Sequence, residues 1–265
     1  MTDSARFSWT VLLPVKVLAR AKSRLAVLAG DRRGELALAL ASDTVAAVLA
    51  CPEVARVVVV TSDPEAGPLL AALGAIVVPD EPANRSASLG NTGLENTGLG
   101  NTGLGNTGLE NTGALRGAGV AGVLGDLGVQ DPLNAALRHG AAVAARRWPG
   151  TGLAALTADL PAVSPAELAA ALRAAGAAAG LSAFVPDAAC VGTTLYAVPP
   201  GGEFRPLFGG ASRARHAAAG AIELDPGAFT GLRRDVDTPD DLREALSLGV
   251  GPFTRAVAAD LFTDV

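Results

Sequence analysis

The chain has 265 residues and a formal net charge of −5, with 49% hydrophobic and 18% charged residues. This length can bury one large core, and an α/β chain of this size is commonly a single domain. The acidic balance argues against nonspecific binding of nucleic acid.

The chain has only two cysteines and two histidines, which excludes sites that need several of them. Cys51 and Cys190 lie far apart and lack metal-ligand spacing, which predicts buried thiols in a reducing compartment. His139 and His216 cannot form a zinc site by themselves. No apolar run approaches the ~20 residues of a membrane span, and the first ten residues lack the pattern of a secretory signal. We therefore expect a cytoplasmic protein with no membrane and no nucleic-acid partner.

Strands and helices alternate in the first part of the chain. The predicted elements are a buried strand at Trp9–Val15, a helix at Arg32–Leu49, a strand at Val54–Thr61, a short helix opened by Asp63 and a strand at Ala75–Val78. Such alternation predicts parallel strands joined by right-handed crossovers.

The pattern breaks from Asn84 to about Val129, where glycine is frequent and periodicity is weak. The tripeptide Asn-Thr-Gly recurs every five residues, beginning at Asn91, Asn96, Asn101, Asn106 and Asn111. Pentad repeats can coil into a small β-solenoid, but here only leucine could form its core. The glycine content favours the alternative, a poorly ordered surface insertion at about 84–129 in a single domain spanning 1–265.

Order resumes in the second part of the chain. Two helices have clear start signals, at Asp131-Pro132 and at the capping box that begins with Ser164. The predicted elements are a helix to Arg147, a strand at Gly152–Ala158, a helix to about Ala175, strands at Ala183–Val185 and Thr193–Val198, a loop and short helix at Phe204–His216, edge strands at Ala221–Leu224 and Leu232–Val236, and a last long helix from Thr238 to Leu248.

Acidic residues follow two of these predicted strands. Asp159 stands two residues before Pro161, which cannot continue a central strand, so Asp159 is expected at the carboxyl end of that strand. Asp235 and Asp237 would share a face if their segment is extended. Magnesium prefers a few carboxylates together with phosphate oxygens. The alternative for Asp159 is a capping role at a turn.

A basic loop (residues 16–24) follows the first strand of this otherwise acidic chain. It contains Lys16, Arg20, Lys22 and Arg24 but none of the glycines of a P-loop. Its cations are well placed to bind phosphates. The alternative is a solvated basic loop without a ligand.

Three further segments are candidates for polar recognition. Asn134, in the first turn of a helix, could bond a base or ribose, or could serve only the helix terminus. The segments 191–194 and 208–216 combine glycine, hydroxyl and, in the second, guanidinium groups, which suits an anion. An exposed arginine-rich helix turn is the alternative for the second segment.

In this order the motifs resemble one family, the guanylyltransferases of deazaflavin coenzyme F-420 biosynthesis, which use phosphoenolpyruvate in actinobacteria and 2-phospho-L-lactate in archaea. The resemblance covers about Thr10 to Pro252, except the insertion. It rests on Pro14-Val15-Lys16 with Ala21–Leu25, Asp131–Asn134, Asp159-Leu160-Pro161, Gly192–Thr194, Phe208 through Ser212 to His216, and Asp235–Pro239.

The resemblance implies a fold of the nucleotide-diphospho-sugar transferase type. This is a Rossmann-like three-layer α/β/α sandwich with a mostly parallel central sheet, as in the wider molybdopterin-guanylyltransferase-like nucleotidyltransferases. The chain lacks the glycine-rich first loop of that superfamily, as the resembled family does. The pentad insertion is a further departure, and it replaces the family's usual shorter connection.

The resemblance also assigns roles to residues. Catalysis would depend on Asp159, Asp235, Asp237 and Lys22, and the three aspartates would hold Mg²⁺. The phosphoenolpyruvate-type acceptor would contact Thr194, Gly209 and Ser212. GTP would contact Lys16, Lys22, Arg24 and Asn134.

The implied reaction moves GMP from GTP onto the phosphate of phosphoenolpyruvate and gives enolpyruvyl-diphospho-guanosine and diphosphate. GTP and a small phosphorylated carboxylic acid are the expected partners, with hand-over of the product to the next enzyme of the pathway left open. The acceptor could instead be 2-phospho-L-lactate or 3-phospho-D-glycerate, and another nucleotidyltransferase or a glycosyltransferase would have the same fold. A non-catalytic nucleotide-binding or scaffolding protein is the remaining alternative, and the three aspartates argue against it.

Overall fold

A seven-stranded sheet forms the centre of the computed structural model, which describes residues 7–18, 22–80, 131–178 and 180–263. These residues belong to one structural unit. The insertion predicted at about 84–129 lies outside the described residues, so its effect on the domain organisation stays a prediction.

The sheet is mostly parallel, as predicted. Its order is β3-β2-β1-β4-β6-β5-β7. Strand β6 runs antiparallel to both of its neighbours, whereas the other paired strands run parallel. The strands are β1 (Trp9–Pro14), β2 (Val54–Val60), β3 (Ile76–Val78), β4 (Gly152–Leu156), β5 (Ala183–Pro186), β6 (Thr193–Val198) and β7 (Ile222–Glu223).

Three of the described helices, α4, α5 and α7, begin at a residue whose side chain caps them. Asp131 accepts a hydrogen bond from the N–H of Leu133, and Ser164 and Thr238 each begin a capping box. None of the helices in the described ranges is long and apolar enough to cross a membrane. The helices are α1 (Ala26–Ala29), α2 (Arg33–Leu49), α3 (Ala66–Ala72), α4 (Pro132–Arg147), α5 (Pro165–Gly176), α6 (Ser212–Ala218), α7 (Pro239–Leu248) and α8 (Pro252–Thr263).

Helices cover both faces of the sheet, which confirms the predicted three-layer α/β/α sandwich. Successive residues of a strand point to opposite faces. In β1, Leu13 joins the apolar cluster that α2 and α5 form on one face, while Leu12 packs with Leu137 of α4 on the other. A third cluster joins α2 to α7 and α8 through residues such as Leu40, Leu242 and Val257.

A close approach between β1 and β4 requires a glycine. Trp9, which is almost completely buried, pairs in register with Gly152. A Cβ atom at Gly152 would lie 2.6 Å from the Trp9 ring, which is closer than carbon atoms pack. The glycine therefore makes room for the largest side chain of the core.

The predicted edge strand at Leu232–Val236 is wrong. Gly231–Arg233 forms a turn of 3₁₀ helix, and no strand follows it up to Val236. The guanidinium of Arg233 donates to the carbonyls of Pro186, Asp187 and Pro226. These bonds hold the segment across the end of β5, where it cannot pair along the sheet.

Helix α7 was predicted to be the last long helix, but α8 follows it. The start of α8 is capped by a distant residue: the carboxylate of Asp43 in α2 accepts hydrogen bonds from the N–H groups of Phe253 and Thr254. Because this cap comes from another helix, the local sequence has Pro252 at the first helical position but no Ser, Thr, Asp or Asn directly before it.

The two cysteines differ in burial. Cys51 is buried, as predicted, whereas Cys190 is only partly buried, and both thiols are free. Cys190 lies in the turn after β5 with a φ of 58°. Its Sγ accepts a hydrogen bond from the Arg233 guanidinium at 3.1 Å, which explains why it stays outside the core.

His216 of α6 is completely buried and fixes the loop before that helix. Its Nε2 accepts the N–H of Leu207 at 3.0 Å, and its Nδ1 lies 3.0 Å from the Thr193 hydroxyl. The ring stacks on Tyr196 with centroids 4.6 Å apart. Burial, followed by the charge of Arg215, lowers the pKa of His216 to about 4. The neutral ring with its proton on Nδ1 satisfies these contacts.

We predict that His216 makes the stability of the protein depend on pH. Its pKa rises from about 4 in the folded chain to the ordinary value of 6.5 on unfolding. The stabilisation by the neutral ring is therefore present above pH 6.5 and is lost as the pH falls towards 4. The loss in free energy of unfolding should approach ~3 kcal/mol. Urea unfolding across this pH range measures it.

The comparison is with His216→Gln, which can form similar hydrogen bonds but does not titrate. Its stability should fall less steeply with decreasing pH than that of the wild type. The variant His139→Gln is the matched control and should retain the wild-type slope. Parallel slopes for wild type and His216→Gln would contradict the prediction.

Candidate active site

A cleft of about 490 Å³ opens at the carboxyl ends of β1 and β4. Six of the predicted site residues line it, and they bring cations and carboxylates into one volume. They are Lys16, Lys22, Arg24, Asp159, Asp235 and Asp237. The structure therefore joins the basic loop to the two acidic segments, as a site for phosphates and a metal requires.

Asp159 is held at the end of β4 by its neighbours. The N–H of Leu160 donates to the buried hydroxyl of Thr44 at 3.0 Å, and that hydroxyl donates to a carbonyl within α2. The carbonyl of Asp159 accepts the N–H of Val236 at 3.1 Å. This last bond places Asp235 and Asp237 beside Asp159, although their segment is not a strand.

Lys22 links the two acidic segments. Its ammonium donates to Oδ2 of Asp159 and, at 2.7 Å, to Oδ1 of Asp237. The side chain is only 12% exposed, and the residue has a φ of 53°, which is uncommon for a residue with a side chain. Burial alone would lower the pKa of Lys22, but the charges of the two carboxylates outweigh it and raise the pKa. Lys22 is therefore a fixed positive charge.

Asp235 has a different environment from Asp237. Burial of its carboxyl, followed by the nearby charges of Asp159, Asp237 and Asp187, raises the pKa of Asp235 to about 7. The Asp235 carboxyl thus lies among like charges, and a cation bound beside it would relieve their repulsion.

The pKa of Asp237 is lowered. Burial would raise it, but the ammonium of Lys22 and then the charges of Arg24 and Lys16 outweigh burial. The basic loop therefore acts directly on this carboxylate and keeps it ionised at neutral pH.

Asp63, after β2, anchors the basic loop. Its buried carboxylate accepts the N–H of Leu18 at 2.8 Å. It also accepts the N–H groups of Glu65 and Ala66, at 2.9 and 2.8 Å. Burial would raise the pKa of Asp63, but these three hydrogen bonds together lower it. The carboxylate thus joins the loop after β1 to the turn after β2.

The donor set around Asp159 fits a magnesium ion. Oδ1 of Asp159 and the hydroxyl of Thr157 are buried and have no hydrogen-bond partner among the described residues. Within those residues, no group of three or more His, Cys, Asp or Glu side chains is arranged to hold a metal by itself. Mg²⁺ is usually held by one or two carboxylates completed by substrate phosphates and water, so a partial set of this kind is suitable.

The three residues predicted to bind the acceptor do not line this cleft. Thr194 is buried at the start of β6, and its carbonyl accepts the N–H of Thr157 at 2.9 Å, which places it beside the end of β4. Ser212 is buried at the start of α6. Gly209 has a φ of 94° in the loop before α6, a conformation that favours glycine. Their role as an acceptor site stays a prediction.

Asn134 is engaged within the protein. Its amide nitrogen donates to the Asp131 carboxylate at 2.7 Å and to the Phe208 carbonyl at 3.0 Å. Its amide oxygen accepts the N–H of Phe208 at 2.9 Å. Both N–H donors are thus used to hold the loop that contains Gly209, and its predicted contact with a nucleotide would use the remaining acceptor capacity of the oxygen.

Sequence patterns alone missed several supporting residues. Asp63 was expected only to open a helix, and Thr44 and Asp187 were not singled out. Asp187 follows β5 and accepts the N–H groups of Val191 and Gly192, at 2.9 and 2.7 Å. An acidic residue within three residues of the end of a strand is the signal that Asp63 and Asp187 share with Asp159. Thr44 offers no comparable signal, because its partner is 116 residues away.

The fold resembles a solved structure from Desulfovibrio desulfuricans G20 that is described as a nucleotide-diphospho-sugar transferase. The TM-score is 0.58 and the identity is 15%, with 95% of this chain and 94% of that chain covered. At this identity the likeness supports the predicted fold class alone.

The amino-acid sequence was also compared with known proteins. No family model matches the chain. It is 49% identical over 258 residues to a phosphoenolpyruvate guanylyltransferase from Thermomonospora curvata, covering 97% of this chain and 92% of that protein. It is 50% identical over 254 residues to the phosphoenolpyruvate guanylyltransferase of Streptomyces coelicolor, covering 96% and 97%. The chain therefore belongs to the phosphoenolpyruvate guanylyltransferase family.

Proposed function

We propose that this chain transfers GMP from GTP to the phosphate of phosphoenolpyruvate, giving enolpyruvyl-diphospho-guanosine and diphosphate. The observation that carries the proposal is the ammonium of Lys22 between Asp159 and Asp237, with Lys16 and Arg24 on the same cleft. Relatives of this name at about half identity over almost the whole chain support the choice of substrates.

The reaction needs no general base. A phosphate oxygen of the acceptor, already ionised, attacks the α-phosphorus of GTP and forms a new P–O bond. The bond from that phosphorus to the bridging α–β oxygen breaks, and its electron pair leaves with diphosphate. Lys22 stays protonated because its pKa is raised. It acts as a charge that stabilises the phosphates and not as a proton acceptor.

The side chains supply position and charge at the two anionic substrates. Lys16 and Arg24 are exposed on the cleft and would contact the triphosphate with Lys22. Thr194, Gly209 and Ser212 would contact the acceptor, with two hydroxyls and a backbone that permits close approach. In-line transfer requires the acceptor phosphate to lie between this group and the α-phosphate.

Magnesium would be held by Asp159 and Asp235, with Asp237 adjacent, and when bound it neutralises charge between the two anions. The buried, unpartnered Oδ1 of Asp159 supports this assignment. The raised pKa of Asp235 also supports it, because crowded carboxylates favour a cation. We further propose that the product serves coenzyme F-420 biosynthesis in the cytoplasm, where hand-over to the next enzyme is a prediction.

The test of the proposed function is diphosphate release from GTP with each acceptor in turn. We expect turnover with phosphoenolpyruvate to exceed turnover with 2-phospho-L-lactate and 3-phospho-D-glycerate. Formation of enolpyruvyl-diphospho-guanosine is checked by mass spectrometry. A preference for 2-phospho-L-lactate would favour the alternative acceptor, and absence of release with every acceptor would contradict the proposal.

We predict that Asp159→Asn lowers turnover by at least about a hundredfold, because it removes a charge next to the reacting phosphates. The amide has a similar size and its oxygen can still accept the hydrogen bond of Lys22, so the thermal unfolding temperature should fall by far less than the turnover. Asp240→Asn, which changes an exposed residue of α7 that pairs with Arg243, is the matched control and should retain turnover. Near-normal turnover of Asp159→Asn would exclude this role.

We predict that Asp63→Asn weakens the use of GTP more than that of the acceptor. The amide cannot accept all three N–H groups that the carboxylate holds, so the basic loop loses its anchor at Leu18. The KM for GTP should rise about tenfold, the equivalent of one lost hydrogen bond to a charged group.

The control for Asp63 is Asp225→Asn, which changes a carboxylate that accepts a single N–H in an exposed turn. It should leave both KM values unchanged. Equal increases in the KM for GTP and for phosphoenolpyruvate in Asp63→Asn would indicate general destabilisation, and the anchoring role would then be wrong.

A further inference from the structure

Three polar residues form a row just past the carboxyl ends of β1, β2 and β3, next to the cleft. Pro14, Val60 and Val78 are partners in register across β1, β2 and β3. Hydrogen bonds between the strands continue one residue further. The N–H of Val15 donates to the Val60 carbonyl at 3.0 Å, and the N–H of Thr61 donates to the Val78 carbonyl at 2.9 Å.

Two residues past those partners come Lys16, Ser62 and Asp80. Neighbouring strands lie ~4.8 Å apart, so Asp80 is two steps, or about 10 Å, from Lys16 along this row. That span is comparable to the length of a nucleoside monophosphate from its phosphorus to the Watson–Crick edge of its base. A nucleotide with its phosphates on the basic loop can therefore lie across β1 and β2 with its base towards β3.

Asp80 is held in a defined orientation. The Ser62 hydroxyl donates to its Oδ1, and the N–H of Asp80 donates to that hydroxyl oxygen at 3.3 Å. No described residue donates to Oδ2. Asp63, the other carboxylate at this end of β2, already accepts three N–H groups and is buried. Within the described ranges, Asp80 is thus the carboxylate of this row with free acceptor capacity.

We propose that Asp80 determines the base specificity of the nucleotide site by accepting hydrogen bonds from N1–H and the 2-amino group of guanine. Guanine presents these two donors side by side, and a carboxylate accepts both in a bidentate pair. Adenine presents an acceptor at N1 and would face the carboxylate with a lone pair. The inference rests on the proposed use of GTP and deepens it, since it names the group that selects guanine.

The experiment uses the full chain and measures nucleotide Kd by titration calorimetry without acceptor, so it does not depend on turnover. Wild-type protein should bind inosine triphosphate, which lacks the 2-amino group, about tenfold more weakly than GTP. The variant Asp80→Asn should bind GTP about ten- to a hundredfold more weakly. It should bind xanthosine triphosphate more tightly than wild type does, because the amide donates to the C2 carbonyl of xanthine and accepts its N1–H.

The matched control is Asp31→Asn, which makes the same change at an exposed position between α1 and α2 and should preserve the wild-type preference. Equal binding of GTP and inosine triphosphate by wild type would overturn the assignment. So would loss of GTP binding in Asp80→Asn without a gain for xanthosine triphosphate. Failure of the proposed transfer reaction is separate, because it would appear as missing diphosphate release while these Kd values stay measurable.

Discussion

The cleft depends on the hydrogen bond from the Val236 N–H to the Asp159 carbonyl. Residues 234–237 belong to no strand or helix, so the sheet alone would not bring them to the end of β4. The bond, together with the complete burial of the Val236 side chain, fixes them there. Asp235 and Asp237, which flank the buried Val236 in sequence, both line the cleft as a result. Two acidic segments more than 70 residues apart thereby share one volume.

Bringing carboxylates together raises their energy unless cations compensate it. The cations of the basic loop stabilise these carboxylates to different extents. Lys22 contacts Asp159 and Asp237, whereas the pKa of Asp235 remains raised, at about 7. The ammonium is itself buried and would be costly without its two partners. Asp63 holds the first part of the loop through Leu18. Loop position and carboxylate charge are therefore coupled, and neither acidic segment would be stable in this arrangement alone.

The sequence was sufficient for the elements whose signals are local. Apolar and β-branched runs identified β1 and β2, and helical periodicity identified α2. The caps at Asp131 and Ser164 located α4 and α5. It failed where the cause is distant: the start of α8 is capped by Asp43, and the segment before Val236 is held by the bonds of Arg233. For the site, the motifs identified six of the residues that line the cleft. They could not distinguish Asn134, which holds the Phe208 loop, from a residue free to bind a ligand.

The direction of β6 explains how the same end of the sheet can bind two anionic substrates. In β3, β2 and β1 this end of the sheet is formed by carboxyl ends, which leads to the loops with Lys16, Ser62 and Asp80. Strand β6 is antiparallel to β4, so its beginning, at Gly192 to Thr194, lies at the same end. An acceptor bound at the start of β6 would thus face a nucleotide bound at the ends of β1 and β2, with the carboxylate at the end of β4 between them, as in-line transfer requires.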